Sequence, residues 1–418
     1  MAFKQRVSEF QSVLSAREID LKHLKRLCFS GIPDGSGIRS LCWKLMLGYL
    51  PLQRDLWPET LKCQRATYKQ FVREFIIEQC KGTKSGKDSK EFDVDHPLNP
   101  NPDSNWLAFF KDNEVLLQID KDCRRLCPDI SFFQIATKFP NKDVTAGNDR
   151  DFETLRERVL RTHLEASQVN TNRSGLKNLS VPRKIAPEEY IVLGDEQEAH
   201  WEVVERILYI YAKLNPGLGY VQGMNEIIGP LYYVFSSDPN AEWQEHVEAD
   251  AFFCFTNLMS EIRDNFIKSL DDSECGIGSM MKSVRRLLKE RDPLLFSYLE
   301  EQQMRPQFYS FRWLTLLLSQ EFALPDVIRV WDSLFADESR FDFLIYVCCA
   351  MHIIIQILTS IQFSQEQLNL SAQGLWHPVP LQHITGRRLD SSSKGDDTNL
   401  VSKSSDNNYF SLLITQWN

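Results

Sequence analysis

The chain has 418 residues, 43 % of them hydrophobic, which is ample for a packed core and longer than the range over which one core keeps growing, so two lobes are expected. A net charge of −9, a pI near 5.5 and no long Lys/Arg run exclude nucleic acid or an anionic membrane as the main partner. The ten cysteines are spread without Cys/His zinc spacing, which excludes a structural zinc site and fits reduced, mostly buried thiols.

MAFKQRVSEF lacks the continuous apolar run of a secretory signal, and Ala2 removes the glycine that myristoylation needs, so a cytoplasmic protein is expected. Residues 7 to 29 are helical in pattern, with Phe10, Val13, Leu14, Leu21, Leu24 and Leu27 on one side. Gly31 to Gly37 breaks that pattern with dense turn chemistry. A second helix follows, in which Arg39 and Trp43 sit four residues apart. The spacing lets a guanidinium lie against the indole, read here as an arginine stem covering a core tryptophan. Leu61 to Cys80 is again helical, and Lys81 to Asn105 then reads as a polar surface loop. Within that loop Gly82 to Asp88 imitates a phosphate-binding loop. It fails because only three residues separate the glycines and Asp88 replaces the hydroxyl residue that would hold magnesium.

Glu114 to Pro128 carries Leu116, Ile119 and Cys123 at helical spacing, with charge on the other faces. Asp122 and Arg125 are three residues apart, close enough for the carboxylate to aim the guanidinium. Pro128 is expected to stop this helix, leaving Arg125 near its C-terminal end. By itself the pair reads most simply as a surface ion pair worth about 0–1 kcal/mol.

Asn141 to Pro187 is a polar insertion with one helix-like piece from Asp151 to Leu164. A strong helix spans His200 to Leu214 and ends at Asn215-Pro216-Gly217. The glycines from Gly217 to Gly223 imitate a dinucleotide fingerprint, but carry one residue too many and follow no strand. Between Gly219 and Gly223, Gln222 stands at the mouth of a turn, able either to orient a water or to cap a neighbouring helix. The apolar run from Leu344 to Leu358 carries His352 and Gln356 and is shorter than the ~20 residues of a membrane span, so a buried helix is expected. Beyond it, composition turns polar and rich in turn residues.

Three motifs stand in order: Arg39-Ser-Leu-Cys-Trp43, Ile119-Asp-Lys-Asp122-Cys-Arg-Arg125 and Tyr220-Val-Gln222-Gly223. Gly31-Ile-Pro33 precedes them, and Asp250 to Phe255, Arg312-Trp313 and Val330-Trp331-Asp332 follow. Together they resemble the TBC-domain family, GTPase-activating proteins for Rab-family small GTPases. The resemblance implies an all-α, two-lobed helical domain over 31–358, preceded by a helical segment at 1–30. The domain carries insertions at about 81–105 and 141–187, and a low-order tail follows at 359–418, an alternative ending in place of the family's closing helices.

For function, the resemblance implies that Arg125 is an arginine finger and Gln222 a second finger standing in for the GTPase's own glutamine. Asp122, Ile119, Tyr220, Gly223, Arg39 and Trp43 would support them, and Arg124 falls outside the motif's spacing. Phosphoryl transfer spreads charge over the γ-phosphate oxygens, and a guanidinium supplied in trans is worth ~10³ to 10⁵ in rate. The implied partner is a Rab GTPase in its GTP-Mg form, with no cofactor or metal in this chain and membrane contact only through the lipidated Rab. The alternative is a Rab-binding module without acceleration, if the replaced ending disables the domain. A hydrolase with its own nucleophile finds no support, since no G-x-S-x-G occurs.

Overall fold

The computed structural model describes residues 2–78, 105–145, 152–162, 193–194, 196–270 and 276–372. The glycine-rich imitation at Gly82 to Asp88, much of the insertion at 141–187 and the tail beyond 372 lie outside the described residues. The described residues are helical, with no strand and only two isolated bridges, so the fold is all-α as expected.

The chain opens with α1 (Ala2–Ser15) and α2 (Leu21–Phe29) rather than the single helical stretch read from periodicity. Asp20 explains the break: its carboxylate accepts the His23 N–H at 3.0 Å and caps α2, so the apolar pattern resumes on a new axis. After the glycine turn come α3 (Ile38–Met46) and α4 (Trp57–Val72), the latter running into a π-helical turn at Arg73–Glu78. Then follow α5 (Asn105–Cys123), the short α6 (Lys142–Thr145) and α7 at 155–162. The second half holds α8 (His200–Leu214), α9 (Met224–Ser236), α10 (Ala241–Glu245) and α11 (Val247–Ile262). It closes with α12 (Ile277–Arg291), α13 (Pro293–Glu301), α14 (Pro306–Tyr309), α15 (Phe311–Thr315), α16 (Leu324–Ala336) and α17 (Arg340–Ala372).

Helix α8 is buried from His200 to Ala212 because α5, α9 and α11 all pack on it. Of its buried charged residues, Glu202 is paired with Arg156, while burial pushes the Glu205 carboxyl well above its ordinary pKa. Arg206 is gripped by Glu198 and Glu248, which reach it from either side. A second buried knot forms where Asp250 of α11 meets the Lys44 ammonium at 2.9 Å, Arg65 at 3.2 Å and the Tyr49 hydroxyl at 2.6 Å. Helix α16 packs against α2, α3, α9 and α17, so the late chain returns to the beginning, and the described core is one continuous cluster.

Helix α17 differs from expectation in two ways. It does not end at Leu358 but continues to Ala372, because residues 359–372 contain neither Gly nor Pro to break the helix and include three Gln and two Leu. Nor is it buried all round. Leu344, Cys348, Cys349 and Met351 face the core, whereas Tyr346 and Ile357 are exposed. The stretch Arg340–Ile357 is apolar enough to cross a membrane by length and composition, yet this face packs against α12, α15 and α16, and His352 stacks on Trp313 at 4.4 Å.

His200, at the start of α8, makes folding sensitive to acid. Burial lowers its pKa to about 4; its ring stacks on Phe132 at 4.2 Å, and Nδ1 lies 2.8 Å from the Tyr232 hydroxyl. A histidine held neutral in the fold takes up a proton on unfolding at its ordinary pKa of 6.5. Its contribution is therefore complete above about pH 6.5 and lost as pH falls from there toward 4, by up to about 3 kcal/mol. Denaturant unfolding between pH 7 and pH 4 is expected to show this loss, and to show less of it in His200→Phe. An identical pH profile in the two proteins would remove His200 as the cause.

Candidate functional site

Helix α5 ends at Cys123, earlier than the stop expected at Pro128, so Arg125 sits in the turn just beyond the helix. The early ending follows from where the last carbonyls find donors. The Arg125 N–H donates to Asp122 O at 3.2 Å, Leu126 N–H to Cys123 O at 3.1 Å, and the Arg125 Nε to Lys121 O at 3.0 Å. Asn225 Nδ2, from the first turn of α9, also donates to Asp122 O at 3.3 Å. The end of α5 is thus capped partly by Arg125 itself and partly by a neighbouring helix. Leu116, Ile119, Cys123 and Leu126 are buried beneath, as the apolar spacing required, and anchor the turn to α8 and α9.

Asp122 is the pivot. Its side chain is only 7 % exposed, and its two oxygens go to different partners: Oδ1 accepts Arg125 Nη2 at 2.9 Å and Oδ2 accepts the Tyr220 hydroxyl at 2.9 Å. One carboxylate therefore joins the turn carrying Arg125 to the loop carrying Gln222. Arg125 itself is 66 % exposed, a guanidinium held from behind and open in front. Burial, and then the Asp122 carboxylate beside it, keep the Tyr220 phenol protonated well above its ordinary range, so it serves Asp122 as a donor.

Gln222 is exposed, and its side-chain amide has no hydrogen-bond partner among the described residues, which removes the helix-capping alternative. Gly223, directly after it, has φ +104, and a Cβ there would come 2.7 Å from Leu316 Cδ2, so only glycine fits where the loop turns into α9. The loop follows helix α8 rather than a strand, in keeping with rejection of the dinucleotide fingerprint.

Arg124 is committed elsewhere. Its guanidinium grips Asp120 at 2.9 Å and lies over the Trp201 ring at 4.4 Å. Neighbouring arginines thus have opposite fates, one folded inward and one presented.

Arg39 and Trp43 do not meet in the way their spacing suggests. Both bond to Asp332 of α16: Arg39 Nε at 3.2 Å and Trp43 Nε1 at 2.8 Å, while the Ile32 N–H donates to the same carboxylate at 2.9 Å. Trp43 packs on Trp331 and Phe335 with centroids 6.0 and 5.2 Å apart. This cluster joins chain segments about three hundred residues apart, and burial pushes its carboxyl up to about 6 against the pull of Arg39. Its place is beneath the fold, as support.

Two residues at the site escaped the sequence reading. Asn225 holds the end of α5, and Glu226 accepts from Asn225 Nδ2 at 2.9 Å while burial raises its pKa. Their position two and three residues after Gly223, in the first turn of α9, is the one signal of them in the sequence. Among the described residues no group of three or more His, Cys, Asp or Glu is placed to hold a metal ion.

A buried carboxylate thus fixes one exposed arginine and, through a tyrosine, the loop that carries one exposed glutamine. Comparison with known proteins gives the family. Residues 165–358 match the family model for the Rab-GTPase-TBC domain, a stretch that includes Tyr220 to Gly223 and begins after Arg125. The chain is 61 % identical to mouse TBC1 domain family member 13 over 360 residues, covering 84 % of this chain and 90 % of the relative. It is 36 % identical to a TBC domain-containing protein of Schizosaccharomyces pombe over 97 % of this chain and 77 % of that one. The crystal structure of the Ypt/Rab-GAP domain of Gyp1p superposes with a TM-score of 0.55 at 22 % identity, covering 84 % of this chain and 85 % of that one, a likeness of fold. The chain belongs to the Rab-GTPase-TBC domain family.

Proposed function

We propose that this protein is a GTPase-activating protein for one or more Rab-family GTPases, with Arg125 and Gln222 as the two groups inserted beside the bound nucleotide. The observation that carries the reading is the shared carboxylate: Asp122 orients Arg125 directly and, through Tyr220, the loop of Gln222. Binding alone would not require an arginine and a free amide to be held in one rigid unit. The GTP and its magnesium belong to the partner. Arg125 would neutralise charge developing on the γ-phosphate oxygens, and Gln222, a donor and an acceptor at once, would hold the attacking water in line. Asp122, Tyr220 and Asn225 act as positioning residues, and Ile119 and Gly223 set the backbone on either side. The setting would be the cytoplasmic face of a membrane that carries the lipidated GTPase, and the consequence regulation of vesicle traffic.

Single-turnover GTP hydrolysis across a panel of Rab GTPases tests this. Acceleration on one or a few of them is expected, lost in Gln222→Ala and kept in Arg124→Ala, since Arg124 is already engaged by Asp120 and Trp201. A folded wild type that binds a GTP-loaded Rab and accelerates none would make the chain a binding module instead.

A further inference from the structure

Gln222 stands on a turn that cannot hold its own direction. The Met224 N–H donates to Val221 O at 3.1 Å, and Gly223 has φ +104 and ψ −15, the arrangement of a type II β-turn with Gln222 and Gly223 as its central residues. Glycine has more conformational freedom than any other residue, so the direction of the side chain before it has to be fixed from outside. The three atoms nearest to where a Gly223 side chain would stand all belong to Leu316, whose Cδ2 lies 2.7 Å from the position of a Cβ.

Leu316 comes from the end of α15. There the Leu318 N–H returns to Trp313 O at 3.0 Å, the closure by which helices end on a left-handed residue, ordinarily glycine. Here the residues in the left-handed region are two consecutive leucines, Leu317 at φ 52 and Leu318 at φ 64, both buried. A leucine enters that region at a cost and persists there only where its surroundings impose it. Part of what imposes it lies on α16: the Trp331 indole N–H donates to Leu317 O at 2.9 Å, and Trp331 packs on Trp43 and Phe335. Core packing by itself gives no reason for two strained leucines in a row, whereas a fixed point of contact for the glutamine turn does. Just beyond them, the Gln320 amide lies beside the Glu226 carboxyl, in the first turn of α9, and favours its charged form.

We propose that Leu316, held by the strained Leu317–Leu318 turn, is a positioning residue for Gln222, pressing on Gly223 so that the glutamine amide keeps one direction. The inference rests on Gln222 acting as proposed above. Tyr220 ties one end of the glutamine turn to Asp122, and Leu316 pins the other end at Gly223, with Gln222 between them. A group that has to hold a water in line loses on the order of a hundredfold in rate when displaced by about 1 Å, so a loosened brace should be visible in the chemical step.

The test compares wild type with Leu316→Ala, Leu316→Val, Leu316→Met, Gln222→Ala and the double variant Leu316→Ala/Gln222→Ala. Single-turnover GTP hydrolysis is followed on a Rab that wild type activates, over a range of activator concentrations. Leu316→Ala is expected to lower the maximal rate about tenfold or more with the half-saturating concentration unchanged. Leu316→Val should lose less in the same direction, and Leu316→Met should keep most of the rate. The double variant should be no slower than Gln222→Ala, because the brace has nothing left to act on once the amide is gone. Loss of folded protein would instead raise the half-saturating concentration and leave the maximum as it was. Backbone hydrogen exchange over residues 219–224, read by mass spectrometry without any GTPase, should rise in Leu316→Ala while exchange over α8 stays as in wild type. Unchanged exchange in that turn, an effect confined to the half-saturating concentration, or a further loss in the double variant would overturn the proposal. A maximal rate kept in Gln222→Ala would overturn the reading of Gln222 itself, and this inference with it.

Discussion

Arg125→Ala is expected to reduce stimulated GTP hydrolysis by ~10³ or more while leaving the fold intact. The kinetic effect follows from the size of the term: an arginine supplied in trans to the γ-phosphate is worth ~10³ to 10⁵, equivalent to about 4–7 kcal/mol of barrier. The small structural effect follows from exposure. Arg125 is 66 % exposed, and its bonds to Asp122 and Lys121 O lie at a helix end that Asn225 also caps, so stability should change by no more than about 0.5 kcal/mol. Arg125→Lys should not restore the rate, because a lysine offers a point charge where Nε and Nη2 now make a two-pronged contact with the chain. Single-turnover rates and thermal melts of the three proteins decide the matter. A loss of less than tenfold on a Rab that wild type clearly activates would remove Arg125 as a finger.

The second large effect is on stability. Asp332→Ala should destabilise the protein by about 3–5 kcal/mol near neutral pH, as measured by denaturant unfolding. Removing this fully buried carboxylate strands the Trp43 indole N–H, the Ile32 backbone N–H and the Arg39 Nε–H, although the rest of that guanidinium keeps Asp34 and the Ile32 carbonyl. Trp43 and Ile32 sit where protein rather than water must satisfy them, and Trp43 is wholly buried. Asp332→Asn, which keeps volume and one acceptor, should cost less. A change below about 1 kcal/mol in the alanine variant would mean that the donors find other partners.

The two variants separate what could be read along the chain from what could not. Helix α8 appears over His200–Leu214, the range its apolar periodicity marks, because almost every side chain on it is core. The apolar face of α5 is equally legible, and Ile119 and Cys123 are buried where a period near 3.6 puts them. The end of α5 falls before Pro128 because its last carbonyls are taken by the Arg125 and Leu126 N–H groups, the Arg125 side chain and Asn225, the last of these a hundred residues further on. Spacing pairs Arg39 and Trp43 with each other. Their common partner, Asp332, is nearly three hundred residues away, and no spacing rule reaches that far.

Sequence by itself determined the helical class, and it singled out Arg125 and Gln222 as candidates through their place in the motifs. It could do so because helical periodicity and short motifs are local properties of a chain. Only the tertiary structure decided that Arg125 rather than Arg124 is presented, since the choice depends on Asp120 and Trp201 holding one guanidinium and Asp122 aiming the other. The structure likewise decided that one buried carboxylate serves both the arginine and, through Tyr220, the loop of the glutamine. That coupling arises because α5 and α9 pack side by side, which brings Asp122 within hydrogen-bond distance of a residue ninety-eight positions later.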